Sequence, residues 1–217
     1  MKKVCIFGDS IGKGVYLPDE GRYKVAKPKL SDTEVKNYSL FGCTVDRALS
    51  IVERHADELS EYETVYLELG GNDCDFDWQK VSDEPDVEHT CKTPEGAFKK
   101  TYRKIVEIIK KSGGNLILLT FPPIVAERYF KCVTQGRNEE NILRWLGSTH
   151  TMYRWQEMYN MKVVEIAREL DVPMIDIRSA FLEDHHYERL ISRDGIHPNE
   201  KGYELMWNTI SRACVAM

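Results

Sequence analysis

Short β-like runs alternate along the chain with stretches whose apolar residues recur every three or four positions. The first run, Val4–Phe7, is continuously apolar, which suits a strand buried on both faces at the centre of a parallel sheet. Strands that alternate with helices imply right-handed crossovers and a sheet covered on both faces. The five predicted strands are Val4–Phe7, Glu34–Ser39, Thr64–Leu69, Asn115–Thr120 and Pro173–Ile177.

Four other stretches have the apolar periodicity of helices that pack one face against a core. We therefore predict the α/β class, with a three-layer α/β/α sandwich formed as a single domain over residues 1–217. All side chains of the four stripes, Trp155 included, are assigned to the core. The stripes are Val45, Leu49, Val52, Ala56 and Leu59; Phe98, Tyr102, Ile105 and Ile109; Met152, Trp155, Tyr159, Val163, Ile166 and Leu170; and Tyr203, Trp207, Ile210 and Cys214.

Composition and charge argue against several classes of protein. The chain is 42% hydrophobic and 30% charged, and no apolar run approaches the length of a membrane span. The formal net charge is −5, and nucleic-acid binding favours a basic stripe. We expect neither a membrane nor a nucleic acid as partner. The oligomeric state does not follow from the sequence.

The cysteines and the first residues predict the cellular compartment. The six cysteines are far apart and form no C-x-x-C pair, which favours reduced thiols over a disulfide framework or a zinc site. The first apolar run is too short for a secretory signal. These observations predict a cytoplasmic protein.

Two connections are longer than the fold requires, and each follows the C-terminal end of a strand. Residues 73–96 are acidic, whereas residues 122–151 hold a predicted helix, Glu139–Leu146, which Asn138 caps and Gly147 ends. Ordered loops at this edge often form substrate walls or lids, but a charged run is as often a solvated surface. Both interpretations stay open at this point.

The first strand leads directly into Gly8-Asp9-Ser10. Parallel sheets place their sites at the carboxyl ends of the strands, where a serine is held by rigid scaffold and stays open to substrate. Ser10 is therefore our candidate nucleophile. The same residues also suit an ordinary turn in which Asp9 or Ser10 caps the next helix, so this motif does not decide alone.

A serine nucleophile needs a base and a group that orients the base. Asp194 and His197 lie in one loop, punctuated by a glycine and a proline, just before the last helical stretch. One local turn would let the carboxylate accept the imidazole Nδ1–H and leave Nε2 facing Ser10. Asp176, at the end of the fifth strand, is the second candidate for the orienting acid.

Two further strand ends offer donors for an oxyanion. After the second strand, Gly42 presents a backbone amide just before a helix N-terminus. After the third, Gly70 and Gly71 allow close backbone approach, and the side-chain amide of Asn72 reaches the same point. Each segment alone is typical of an ordinary turn. In a doubly wound sheet, however, these strand ends converge on one edge.

Taken in order, four segments of the chain resemble the four sequence blocks of the SGNH (GDSL-type) hydrolases. The resemblance extends from residue 8 to residue 199 and so covers nearly the whole chain as one domain of this type. The segments are Gly8-Asp9-Ser10, Gly42, Gly71-Asn72-Asp73 and Asp194-x-x-His197.

This resemblance implies a flavodoxin-like sheet of strand order 2-1-3-4-5 and a serine esterase that works through an acyl-enzyme. Ser10 is implied as nucleophile, His197 as base and Asp194 as its partner. The implied oxyanion hole consists of the Ser10 amide, the Gly42 amide and the Asn72 side chain. No metal, nucleotide or organic cofactor is expected, because the phosphate-loop, G-x-G-x-x-G and H-E-x-x-H motifs are not completed.

One rival motif lies over the same serine. Gly8–Gly12 also reads as G-x-S-x-G, the nucleophile elbow of the α/β-hydrolases. That fold places several strands before the elbow, whereas a single predicted strand precedes Ser10. The order of the elements therefore argues against this interpretation.

The overhanging connections predict the substrate. Their aromatic residues suit the faces of sugars and their acidic run disfavours anions, so we expect a small-molecule ester with a short acyl group, such as acetyl, on a carbohydrate. One alternative is a lysophospholipase or thioesterase with a longer apolar groove, and another is a glycan-binding protein without turnover. The candidate substrate-binding residues are Asp9, Asp73, Trp145 and Tyr153.

Overall fold

The strands of the main sheet follow the predicted order. A computed structural model describes residues 2–30 and 32–216. Its strands are β1 (Lys2–Gly8), β2 (Val15–Tyr16), β3 (Lys24–Val25), β4 (Thr33–Asn37), β5 (Thr64–Glu68), β6 (Leu116–Leu119) and β7 (Met174–Ile175). The main sheet is parallel and has the order β4-β1-β5-β6-β7. Counted among themselves, these five strands have the order 2-1-3-4-5, which confirms the flavodoxin-like sheet.

Helices connect the strands and cover both faces of the sheet, as predicted. No helix within residues 2–30 and 32–216 combines the length and the apolar character that a bilayer crossing requires. The helices are α1 (Ser10–Lys13), α2 (Val45–Arg54), α3 (Trp78–Asp83), α4 (Glu95–Lys111), α5 (Ala126–Thr134), α6 (Glu139–Leu146), α7 (His150–Glu169), α8 (Ile177–Leu182) and α9 (Glu200–Ala216), with 3-10 turns at Ala56–Glu61 and Tyr187–Leu190.

Alternate residues of β1 point to opposite faces of the sheet, so its apolar run is buried in two separate cores. Cys5 and Phe7 belong to the core beneath α2, α4 and α7, whereas Val4 and Ile6 belong to the core beneath α8 and α9. Each of the four is at most 5% exposed. Full burial of one large apolar side chain stabilises a fold by about 1.5–3 kcal/mol. The two cores confirm the three-layer sandwich.

The two long connections pack against each other and form a third, smaller core. Phe76 and Trp78 from the first connection are buried in one cluster with Phe130 and Ile142 from the second. The acidic run of residues 73–96 is therefore not a fully solvated loop. Phe76, Trp78 and Val81 are buried against the second connection, whereas Val87 is exposed.

The predicted helix in the second connection is confirmed as α6. The side chain of Asn138 caps it by accepting a hydrogen bond from the Asn141 amide at 3.0 Å, and Gly147, with a φ of 71°, ends it. The N-terminal end of α6 is bonded to α3, because the Asn138 amide and the Asn141 side chain donate to Ser82. These bonds join the two connections.

Two local features differ from the expectation. The antiparallel pair β2–β3 was not predicted, because strands of two residues are too short to show a period. The apolar stripe that begins at Val45 does not form one helix. The α-helix ends at Arg54, and the 3-10 turn Ala56–Glu61 carries the remainder.

The turn after β5 depends on a glycine. Gly70 has a φ of 139°, which a residue with a side chain rarely adopts, and a Cβ built there would lie 2.2 Å from Cζ of Phe121. Phe121 is itself buried after β6. The ring thus occupies the space that a side chain at position 70 would need, and it fixes the path of the chain towards Asn72.

We predict that Gly70→Ala lowers the free energy of unfolding by roughly 2–5 kcal/mol, the sum of overpacking and backbone strain. Urea unfolding measures this change. Gly96→Ala is the matched control, because no atom lies within 4 Å of its Cβ position and alanine favours α4. Phe121→Leu should recover part of the loss in the double variant. Equal stabilities of the two alanine variants would contradict the prediction.

Candidate active site

Ser10 begins a short helix, α1, at the carboxyl end of β1. Asp9 caps this helix, because its Oδ1 accepts the Ile11 amide at 2.8 Å. Gly14 ends the helix in the left-handed region, with a φ of 88°. The interpretation as a helix-capping turn and the interpretation as a nucleophile are therefore compatible. Asp9 caps α1, and Ser10, the next residue, lies at the carboxyl edge of the sheet.

The loop before α9 folds back on itself and brings its acid and its histidine together. The Ser192 amide donates to the His197 carbonyl at 2.7 Å. Asp194 Oδ1 accepts the amides of Ile196 and His197, both at 3.1 Å, which is the local turn expected from the sequence. Gly195, with a φ of 82°, packs against the backbone of α5 where a side chain has no space.

Three side chains form a continuous chain of hydrogen bonds. Asp194 Oδ2 lies 2.7 Å from His197 Nδ1, and His197 Nε2 lies 2.8 Å from Ser10 Oγ. Asp194 is 1% and His197 2% exposed, whereas Ser10 lines an open cleft. The arrangement can transfer a proton away from the serine hydroxyl and hold the resulting imidazolium beside a carboxylate.

The charge of Asp194 is stabilised by its bonds. Burial, the largest effect, acts to raise its pKa, but the bonds from the His197 ring and from the Ile196 and His197 amides hold the pKa below its ordinary value. Asp176, the second candidate acid, bonds elsewhere: its carboxylate accepts from Thr120 and Ser179 and caps α8. Its carboxylate makes no hydrogen bond to His197.

Of the predicted oxyanion donors, Asn72 lies at the same cleft as Ser10. It donates from Nδ2 to Asp9 Oδ2 at 3.0 Å, which leaves the second N–H of its amide free of that bond. Gly42 is exposed, with a φ of 67°, and its amide donates to no group in the described part of the chain. The neighbouring Phe41 ring lies 6.1 Å from the His197 ring.

The cleft beside Ser10 is mainly apolar and holds about 640 Å³ of open space including its mouth. Its polar wall groups are already bonded within the protein: Asp75 accepts from Tyr129 and Trp78, and Gln156 bonds Pro122 and Arg178. They leave mostly rings and methyl groups facing the space. The lining residues away from Ser10 include Cys74, Phe76, Trp78, Ile124, Tyr129, Met152, Trp155 and Ile196.

A match over nearly the whole chain identifies the family. The family model described as "GDSL-like Lipase/Acylhydrolase family" matches residues 6–205. The chain belongs to this family. No curated protein matches the chain significantly.

Solved structures share the fold of this GDSL-like protein at low identity. A lipase/acylhydrolase from Enterococcus faecalis is 20% identical, covers 100% of this chain and 96% of its own, and has a TM-score of 0.65. A member of the lipolytic G-D-S-L family from Veillonella parvula is 18% identical with complete coverage of both chains and a TM-score of 0.64. A mutant of an acetyl-xylooligosaccharide esterase from Geobacillus is 21% identical, covers 97% and 93%, and has a TM-score of 0.64.

The predicted substrate-binding residues of this GDSL-like chain are only partly at the cleft. Asp9 lines the cleft. Trp145 and Tyr153 lie one layer behind its wall, where Trp145 packs on Phe76 and the Tyr153 ring lies beneath the Arg178 guanidinium. Trp145 belongs to the second connection and Tyr153 to α7, and the sequence does not show which face of such a layer meets the cleft.

Two assignments change with the structure. Trp155 was predicted to lie in the core, but it lines the cleft. Helix α7 passes behind the site, and the Trp155 ring reaches the open space. Asp73 is fully buried, and both of its carboxylate oxygens accept from the Val45 amide. A carboxylate turned to the start of α2 has no surface for a substrate, so Asp73 has a structural role here.

Asp73 makes stability depend on pH. Burial raises the pKa of this carboxyl to about 6, although bonds from Thr93 and Val45 act to lower it. An unfolded aspartate ionises at about 3.9. Between these two pKa values the folded chain binds more protons than the unfolded chain. The contribution of Asp73 to the free energy of unfolding therefore falls as the pH rises to about 6, and it stays constant at higher pH.

We expect the stability of Asp73→Asn relative to the original chain to increase by on the order of 2 kcal/mol when the pH is raised from about 4 to 7. The reason is that the amide keeps an acceptor for Val45 without a buried charge. Urea unfolding at the two pH values measures the gain. The exposed Asp57→Asn is the control and should show no such change. The same stability difference at both pH values would argue against a costly buried charge.

Proposed function

We propose that the protein hydrolyses carboxylic esters through an acyl-enzyme formed on Ser10. One observation carries the proposal: the hydrogen-bond chain from Asp194 through His197 to Ser10 opens into a mainly apolar cleft. Membership of the GDSL-like lipase/acylhydrolase family supports the reaction class.

Each step uses a group in this chain. His197 Nε2 takes the proton of Ser10 while Oγ attacks the ester carbonyl, and the protonated imidazole then gives this proton to the leaving alcohol. A water molecule attacks the acyl-enzyme with the same assistance and releases the acid. Asp194 holds the ring with Nε2 towards Ser10 and stabilises its positive charge, which its own ionised state at neutral pH favours.

The developing oxyanion is stabilised by the Ser10 amide, the Gly42 amide and the free N–H of Asn72. The Asp9 bond fixes the amide plane of Asn72, so this donor does not have to reorient during reaction. The Gly42 amide makes no competing bond in the described residues. Donors that are fixed and unoccupied before the reaction are what this kind of catalysis requires.

The substrate that we propose is a small ester with a short acyl group, such as acetyl, on a carbohydrate. Support comes from two exposed rings at the mouth: Tyr23 is 46% and Phe41 55% exposed, and both contact the ring of His197. The leaving alcohol receives its proton at His197 and therefore lies beside them, where flat rings suit the apolar face of a sugar. The acetyl-xylooligosaccharide esterase with this fold is consistent with such a substrate.

A second candidate is an ester or thioester with a longer acyl chain. The apolar wall of Phe76, Trp78, Ile124, Met152 and Trp155 favours it, because these side chains leave few polar contacts for a hydroxylated group. Such a wall was not apparent from the sequence. Both candidates use the same three catalytic side chains, so the length of the acyl chain distinguishes them.

The roles of the catalytic residues predict a graded loss of activity. Ser10→Ala and His197→Ala should each abolish nearly all turnover, and Asp194→Asn should lower kcat by about 10⁴. Asp176→Asn is the matched control and should keep most activity. A fluorophosphonate should label the original chain stoichiometrically, and Ser10→Ala should not be labelled. The absence of both labelling and turnover in the intact chain would reject the enzyme hypothesis in favour of a non-catalytic binder.

Esters of p-nitrophenol from acetyl to octanoyl, tested beside acetylated sugars, measure the acyl preference. We expect kcat/KM to be highest for short acyl groups and to fall beyond about butyryl. If the cleft instead holds a longer chain, each buried CH₂ contributes about 0.8 kcal/mol and kcat/KM rises towards octanoyl. Trp155→Ala, which opens the wall, should then shift the preference to longer chains. A rise towards octanoyl would replace the carbohydrate substrate by the second candidate.

A further inference from the structure

A second carboxyl group is buried beneath the turn that carries Ser10. Glu68 ends β5 beside Gly8, its partner in β1. The side chains of Glu68 and Asp9 are at most 1% exposed, and their carboxyl groups accept the adjacent amides of Gly12 and Ile11 in α1. The catalytic steps described above do not use Glu68. Its burial beside another acid needs a physical explanation.

The two oxygens of Glu68 have different surroundings. Oε2 accepts the Gly12 amide of α1 at 3.0 Å. No group of the described residues donates to Oε1. A buried carboxylate without a cation or a full set of donors is unfavourable. The titratable groups around the pair are Cys43, Asp73, Tyr102, Tyr203 and His197.

The charge state of the pair follows from these contacts. Burial, and then the negative charge of Asp9, raise the pKa of Glu68 well above its ordinary value. Burial also raises the pKa of Asp9, but the bonds from Ile11 and Asn72 and the field of His197 act to lower it. Asp9 is therefore the better site for the negative charge, and Glu68 the better site for a proton.

The contacts of Asp9 connect this pair to the reaction. Oδ1 of Asp9 accepts the Ile11 amide at 2.8 Å and so shapes α1. Oδ2 accepts Nδ2 of Asn72 at 3.0 Å. Whatever fixes the Asp9 carboxylate therefore also fixes the side-chain amide that faces the cleft.

We propose that Glu68 holds a proton on Oε1 and donates it in a hydrogen bond to Asp9, and that this bond positions Asn72 for the oxyanion. Glu68 is a positioning residue, because it touches no substrate and acts through Asp9. The inference rests on the role that the proposed function gives to Asn72. It adds a buried, neutral acid to the groups on which the reaction depends.

Two substitutions of Glu68 test whether its hydrogen bond to Asp9 is needed and whether a neutral side chain can supply it. Glu68→Gln keeps an acceptor for Gly12 and a donor for Asp9, so kcat should stay within about threefold of the original. Glu68→Leu removes both contacts and should lower kcat by roughly 10- to 100-fold with little change in KM, because the oxyanion contact is made in the transition state. Glu61→Gln, a substitution at an exposed glutamate, is the control and should leave kcat unchanged.

Two further measurements test the mechanism. In the Asn72→Ala background, Glu68→Leu should cause little additional loss, because both changes disturb the same donor. Infrared spectra at neutral pH should contain a protonated-carboxyl band that shifts in D₂O and is missing from Glu68→Gln. These two readouts distinguish positioning by a proton from a purely structural role.

Several results would overturn the inference. Glu68→Gln with a kcat as low as that of Glu68→Leu would mean that an ionised carboxylate is needed, and a missing infrared band would mean that no proton is held. If Glu68→Leu does not fold, a more than tenfold loss of kcat in Glu68→Gln or a missing infrared band would still overturn the inference. A slow Asn72→Ala beside a fully active Glu68→Leu would reject only the role of Glu68. A fully active Asn72→Ala would reject the proposed oxyanion role, and with it this inference.

Discussion

The parallel pairing of β1 with β4 and β5 holds both the fold and the candidate site. Because β1 is paired on both edges and buried on both faces, the position of its last residue, Gly8, is fixed in all directions. Gly8 itself must be a glycine, since a Cβ there would lie 2.9 Å from the Glu68 carbonyl and 3.0 Å from Ser39 Oγ. The turn that follows therefore starts from a rigid point, and Ser10 inherits this rigidity.

The acid and the histidine are fixed in a different way. Their loop has no long strand or helix of its own, and its shape comes from a short antiparallel bridge between Ile191 and Pro198 and from the bonds to the Asp194 carboxylate. The carbonyl of Gly195 also accepts the Val125 amide at 2.8 Å. This bond attaches the loop of Asp194 and His197 to the connection of residues 122–151, which forms one wall of the cleft. The position of His197 therefore depends on the same segment as the wall.

Sequence predicted those features that depend on neighbouring residues or on a regular period. The order of the sheet, the helical stripes, the cap on α6 and the local turn from Asp194 to His197 all belong to this kind. The position of Trp155 at the cleft and the burial of Asp73 and Glu68 depend on distant elements, and the sequence did not reveal them. Asn72 and Asp73 are adjacent, yet one faces the cleft and the other faces α2, and single-sequence patterns at a turn do not distinguish the two.

The bond between Ser10 and His197 joins residues that are 187 positions apart. During synthesis the serine therefore leaves the ribosome long before its base. A growing or prematurely ended chain thus carries a serine without a base, and an unactivated serine does not attack esters. Hydrolysis by the mechanism proposed above therefore requires that the loop of Asp194 and His197 has docked beside Ser10, and its onset would report this step of folding.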